Sequence, residues 1–194
     1  MTRLSVYTAA MSVCDPSLEG HASRVGSHAS VVARRLGWPQ EKLEELRLGA
    51  TLHDVGKVNV RPEVLGKPGR LDEAELAEVR AHPVEGAWLI AGVASLQPAL
   101  PYVLFHHERW DGMGYPTRRV GLEIPVEGRL LAVVDAFDAM TSARPYRDAV
   151  DFDGAAAEVN RCSGTQFDPA IAEAFADAYV SGEIVATGIL PVAV

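Results

Sequence analysis

Cysteine is nearly absent from this chain. Cys14 and Cys162 are the only two in 194 residues, too few and too far apart for a disulfide framework, so both are expected as reduced thiols and the fold must rest on burial. Long apolar runs are missing as well. No stretch approaches the roughly 20 apolar residues of a membrane span, and the opening Met-Thr-Arg-Leu-Ser-Val-Tyr has no apolar region of signal-peptide length. The expectation is a cytoplasmic protein with no membrane partner. Positive charge is in deficit too, with 18 Lys and Arg against 26 Asp and Glu and a formal net charge of -8. That balance argues against broad, charge-driven binding to DNA, RNA or anionic lipid. An acidic chain that handles an anionic substrate has to gather its positive charge locally, as bound metal or as a few placed Lys and Arg residues.

The 48% hydrophobic and 23% charged content is that of a folded globular protein, and the length fits one domain behind a short segment at residues 1–14. Its periodicity is helical. Val25, Ala29, Val32 and Leu36 share a face that should stop at Gly37, and Pro39 opens a second helix through Leu43, Leu46 and Ala50 toward His53-Asp54. Gly, Pro and Asn break the pattern from Gly56 to Gly69. Asp72 with Glu75 reads as a capped start of a helix to about Ala81, and Pro83 opens another to about Ala91. Further helices are predicted from about Pro98 to His107, Val126 to Ser142, Ala155 to Cys162 and Asp168 to Tyr179, with a loop from Glu108 to Pro125. Residues 183–194 form an apolar tail of undetermined form. With no repeat and little strand signal, the fold class is all-α, a compact bundle of about six to eight helices.

The richest stretch is His106-His107-Glu108-Arg109-Trp110-Asp111-Gly112-Met113-Gly114-Tyr115-Pro116. Two adjacent imidazoles at a helix end pass directly into a glycine-punctuated turn, which suits a metal centre beside a substrate-facing loop rather than a core. Only four other histidines occur: His21, His28, His53 and His82. His53-Asp54 sets an imidazole and a carboxylate on consecutive residues, about 100° apart around a helix, so that the carboxylate could bridge two ions. Asp135 sits in mid-helix among Leu131, Val133, Val134 and Phe137, where a buried carboxylate needs a cation or a donor.

Together these residues resemble the HD-GYP family of cyclic-di-GMP phosphodiesterases. The resemblance spans about residues 15–175 and rests on several motifs in order: His-x-x-Arg-Val at 21–25, His-Asp-Val-Gly-Lys at 53–57, His82-Pro83, the run at 106–116, and Asp135 through Arg147. It implies an HD-type helical domain over residues 15–182 with a metal site in its core. The implied ligands are His21, His53, Asp54, His82, His106, His107 and Asp135, with Asp54 as the bridge. The implied cofactors are two divalent transition-metal ions, iron or manganese, with nickel or zinc also compatible with nitrogen and oxygen donors. Ser17 stands where some relatives carry a glutamate that helps hold a third ion, so two ions are expected unless Asp15 or Glu19 reaches in. Ser17 also reads as a helix N-cap.

The same resemblance makes Lys57 a catalytic neighbour of the ions that neutralises a phosphate oxygen, and Arg144 and Arg147 phosphate contacts. Lys57 also reads as a solvated loop lysine, and either arginine as a cap on the preceding helix. Tyr115 would lie near a guanine or phosphate, while Gly112 and Gly114 would supply positive φ. Trp110 is expected to be a buried loop support, Asp111 a backbone acceptor, Glu108 an orienting partner for the adjacent imidazoles, and His28 structural. The implied chemistry is hydrolysis by a metal-activated water in line with the departing 3′ oxygen, giving linear pGpG, with GMP as a further product if a third ion binds. No residue stands out as the general acid. Two other readings remain: an HD-type phosphohydrolase for another nucleotide or cyclic dinucleotide, and a signalling module whose GYP loop docks a diguanylate cyclase domain. The segment at residues 1–14 is too short for a sensor or receiver, so regulation is expected in trans or from the rest of a longer chain.

Overall fold

Gly37 ends the first helix as its chemistry dictates. At φ 77° it takes the left-handed turn, and Gly37 N–H and Trp38 N–H return to the carbonyls of Arg34 and Ala33 at 2.9 and 3.0 Å, closing orphan acceptors of the helix end. The computed structural model describes residues 20–142 and 149–184. These form eight α-helices of six residues or more: α1 His21–Arg35, α2 Gln40–Leu52, α3 Glu73–Arg80, α4 His82–Ala91, α5 Leu100–Phe105, α6 Val126–Thr141, α7 Phe152–Arg161 and α8 Pro169–Val180. Among the described residues there is no strand, only an isolated bridge between Ser163 and Phe167. None of the described helices is long and apolar enough to cross a membrane.

The predicted capping box is present, with Glu75 N–H donating to Asp72 and Asp72 N–H donating to the Glu75 carboxylate, at 2.9 and 2.8 Å. Two stretches depart from the sequence reading. The broken region after His53 holds a 3₁₀ turn at Val55–Asn59 and one helical turn at Pro62–Leu65. The helix expected from Pro98 to His107 is instead a 3₁₀ turn, Ala94–Ala99, followed by the shorter α5. Pro98 and Pro101 account for this, since each removes a donor that a continuous helix would need.

Two apolar clusters stack these elements. The larger gathers Val25, Leu46, Leu131, Val134, Phe137 and Phe175 from α1, α2, α6 and α8, and the smaller gathers Leu52, Val55, Ile90, Leu96 and Val103 around α4 and α5. His28 packs against the first, buried with its ring edge-on to Phe137 at 5.9 Å, as expected of a structural histidine. Helix ends from both clusters meet at one cleft.

The tightest approach in that cleft is at Gly56. A Cβ there would lie 2.0 Å from the His82 carbonyl oxygen and 2.5 Å from the Gly86 nitrogen, so only glycine lets the turn after Asp54 seat against the start of α4. Gly56→Ala is expected to cost about 1–3 kcal/mol, the range for overpacking a filled interior, and to push His82 away from Asp54. Denaturant unfolding and metal content of the purified variant check both effects.

Candidate metal centre

Helix ends supply most of the site. His21 opens α1, His53 caps the C-terminus of α2, His82 opens α4, and His106 caps α5 with His107 next to it. Asp135 alone comes from mid-helix, on α6. His53-Asp54 differs from the expected pair on one helix. His53 keeps helical angles, but Asp54 sits at φ -97°, ψ 7°, in the sparsely used bridge region, and the chain turns there into the 3₁₀ segment.

Each of four imidazoles is anchored through Nδ1. His53 donates to the Ala50 carbonyl at 2.8 Å, His82 to Val79 at 2.7 Å, and His106 to Val103 at 2.9 Å. His21 Nδ1 meets Asp138 at 2.8 Å. A carbonyl or carboxylate only accepts, so Nδ1 carries a proton and Nε2 points inward. Those Nε2 atoms converge. Nε2 of His82 and of His106 are 3.2 Å apart, as are those of His21 and His53. Two acceptors so close are repulsive unless a cation or proton lies between them, and the donor set therefore fits divalent metal.

Asp54 stands between the two pairs. Its Oδ1 is 3.3 Å from His82 Nε2 and 3.9 Å from His106 Nε2, while its Oδ2 is 3.4 Å from His53 Nε2. Asp135 Oδ1 completes the His21 side, at 3.3 Å from His21 and 3.8 Å from His53. Two sets suited to an ion result, His21-His53-Asp54 and Asp54-His82-His106-His107, with Asp54 in both. Lys57 Nζ holds Asp54 Oδ2 at 2.7 Å, so this lysine does lie beside the cluster. Burial opposes ionisation of Asp54, but Lys57 and the surrounding imidazoles keep its carboxyl well below the usual range. Burial pushes His82, His106 and His107 below 6.5. Burial works against His21 too, yet Asp135 and Asp138 raise it to about 9, so in the metal-free protein a proton there supplies positive charge.

Asp138 and Arg24 were missed in the sequence. Asp138 is buried, 2% exposed, and takes a two-pronged grip from Arg24 at 2.6 and 2.9 Å besides its bond to His21. Helical spacing carried the signal: Asp138 is three residues after Asp135, and Arg24 three after His21, so each pair shares a face.

The GYP loop forms one wall of an adjoining pocket of about 320 Å³ that also reaches His106, His107 and Asp135. Tyr115 stacks on His107, with ring centres 4.8 Å apart and planes 23° from parallel, and lines the pocket. Several supporting roles change. Glu108 orients no imidazole; its Oε1 accepts from Thr117 N–H, Thr117 Oγ1 and Arg118 N–H at 2.6, 2.7 and 3.1 Å, pinning the loop. Gly112 has positive φ, but Gly114 does not. Gly114 is required because a Cβ there would lie 2.4 Å from the Arg109 nitrogen. Trp110 is half-buried rather than buried, and Asp111 accepts from Met113 N–H at 3.0 Å as expected. The loop is tied to residues 162–167 by Trp110 N–H to Gln166 and Asp111 N–H to Thr165, at 3.0 and 2.8 Å. Ser17, Asp15, Glu19, Arg144 and Arg147 lie outside the described residues.

Five histidines and Asp54 at helix ends, with Asp135 from mid-helix, meet at one cleft and define an all-α domain with a histidine–aspartate centre suited to divalent ions. The chain belongs to the HD domain family, whose model matches residues 6–171. It is 39% identical over 173 residues to the cyclic di-GMP phosphodiesterase response regulator RpfG of Xanthomonas campestris pv. campestris, covering 88% of this chain and 46% of that protein. To a cyclic di-GMP phosphodiesterase of Thermotoga maritima it is 36% identical over 163 residues, covering 83% and 44%. The chain thus spans less than half the length of these curated relatives. A solved cyclic GMP-AMP specific phosphodiesterase of Vibrio cholerae shares the fold, with a TM-score of 0.70 at 16% identity over 95% of this chain and 50% of that one.

Two outcomes follow from the anchoring network. Asp138→Asn, which weakens the support of His21 without removing an inward-facing atom, is expected to lower metal affinity roughly 10- to 100-fold, measured by competition with a chromogenic chelator. In the metal-free protein, His82, His106 and His107 sit below their unfolded value of 6.5, so the stability they give is lost as pH falls under about 6.5. His21, raised to about 9, contributes below 6.5 and loses that contribution as pH climbs toward 9. Melting temperatures from pH 5 to 9 should therefore pass through a maximum, with the steeper fall on the acid side, where three groups act against one.

Proposed function

We propose that this domain is a metal-dependent phosphodiesterase that opens cyclic-di-GMP to linear pGpG. The observation that carries the reading is the pair of inward-facing donor sets joined through the two oxygens of Asp54. His21, His53, Asp54, His82, His106, His107 and Asp135 would hold two ions, iron or manganese as the family resemblance implies, with nickel or zinc also compatible with the nitrogen and oxygen donors. Such a pair, when bound, supplies an activated water and offsets charge on the phosphoryl oxygens. The chain's own groups do the rest. The Nδ1 bonds fix the imidazoles before any ligand arrives, and Lys57, 2.7 Å from Asp54, places an ammonium beside the phosphate being cleaved. Tyr115 and the loop pinned by Glu108 wall the pocket for a nucleotide, and Arg144 and Arg147 add phosphate contacts. The bond broken is P–O3′; the water oxygen bonds to phosphorus and a proton passes to the leaving 3′ oxygen.

The relatives named for cyclic-di-GMP support the substrate. A second reading, docking of a diguanylate cyclase domain on the GYP loop, is favoured by Met113 and Leu122, each 78% exposed. The two roles are compatible and separable.

Asp54→Ala is expected to abolish turnover of cyclic-di-GMP, a loss of at least about 10³-fold given its place in both sets, and to leave any loop-mediated docking intact. Anaerobically purified protein loaded with Fe(II) or Mn(II) should accumulate pGpG by anion-exchange chromatography, and a chelator should stop the reaction. A fully loaded wild-type protein that leaves cyclic-di-GMP untouched would sink the assignment. Rapid conversion to GMP would instead show that Ser17 does not limit the centre to two ions.

A further inference from the structure

Arg80, the last residue of α3, takes no part in the centre described above, yet it lines the same pocket as His106, His107, Tyr115 and Asp135. Its Cζ lies 5.5 Å from the centre of the Tyr115 ring, and that ring stacks on His107. The guanidinium is therefore one aromatic ring removed from a candidate metal-ligand imidazole. Its situation differs from that of the other cations here. Lys57 is paired with Asp54, and Arg109 with Asp111 and Gln166. Arg80 forms no ion pair with any described carboxylate, and a contact over an aromatic face uses none of its five N–H donors.

A cyclic dinucleotide carries two phosphodiesters. Only one can be in line for cleavage, and the other must enter an acidic protein without an ion of its own. We propose that Arg80 binds this second, uncleaved phosphodiester, with Tyr115 holding the guanidinium at the pocket rim; the inference rests on the cyclic-dinucleotide reading above. A planar fork matches two phosphate oxygens at once, which an ammonium cannot do.

The test compares wild type, Arg80→Gln and Arg80→Lys, all metal-loaded, on cyclic-di-GMP and on bis(p-nitrophenyl) phosphate, a diester with no second phosphate. Binding of a cleavage-resistant phosphorothioate analogue of cyclic-di-GMP is measured in parallel. Arg80 is exposed, so both variants should melt close to wild type. For Arg80→Gln, KM and Kd for the cyclic dinucleotide should rise about tenfold with kcat within about twofold, as for loss of one charge-assisted contact. The simple diester should be unaffected, and Arg80→Lys should recover part of the loss. Unchanged cyclic-di-GMP kinetics, or equal losses on both substrates, would overturn the proposal, the latter showing that Arg80 only props Tyr115. If the wild type binds the analogue but cleaves nothing, the phosphodiesterase assignment fails and the Kd comparison still decides Arg80. If it binds no cyclic dinucleotide, both fail.

Discussion

Everything in the centre depends on hydrogen bonds that point away from it. By donating from Nδ1 to Ala50, Val79, Val103 and Asp138, four imidazoles turn their Nε2 atoms toward one another across 3.2 Å gaps. Such a constellation is unfavourable on its own, because desolvated acceptors repel where they cannot share a proton. The surrounding fold maintains it, with phenylalanine, leucine and valine side chains of α1, α2, α5 and α6 fully buried on either side. Packing supplies the rigidity, and the backbone carbonyls supply the aim.

Those carbonyls are available because the histidines stand at helix ends. The last turn of a helix has carbonyls without intrahelical partners, and His53 and His106 take theirs from the terminal turns of α2 and α5. His82 does the same with the final turn of α3 while itself opening α4. Using a helix C-terminus in this way satisfies orphan acceptors and fixes a tautomer in one contact. The same region is crowded: Gly56 in the 3₁₀ segment, and Gly86 and Gly128 in the N-terminal halves of α4 and α6, each sit where a Cβ would come within 2.8 Å of a neighbour.

Much of this was legible in the sequence because it rides on residue identity. Histidines beside helix boundaries, the His53-Asp54 pair and one aspartate in an apolar helix pointed to a metal site, and the family resemblance they carry named the candidate ligands that the fold gathers. The capping residues and Gly37 likewise announced their helix ends. What was not legible depended on distance. The role of Glu108 is set by Thr117 and Arg118 across the loop, and the importance of Gly114 by the backbone of Arg109, neither of which leaves a pattern. Arg80 ends a helix whose exposed face reads as ordinary solvated charge; only the folded loop puts Tyr115 next to it. Asp138 is an intermediate case, since its spacing from Asp135 was visible but its burial against Arg24 was not.

Asp54 gives one oxygen to each half of the centre, and the halves therefore cannot be independent. A charge that settles on one side changes the basicity of the carboxylate seen by the other, while also fixing its rotamer for the second arrival. Filling the two compartments is thus a coupled equilibrium rather than two separate ones. The sign of that coupling would set how sharply the domain passes from empty to doubly loaded as metal becomes available.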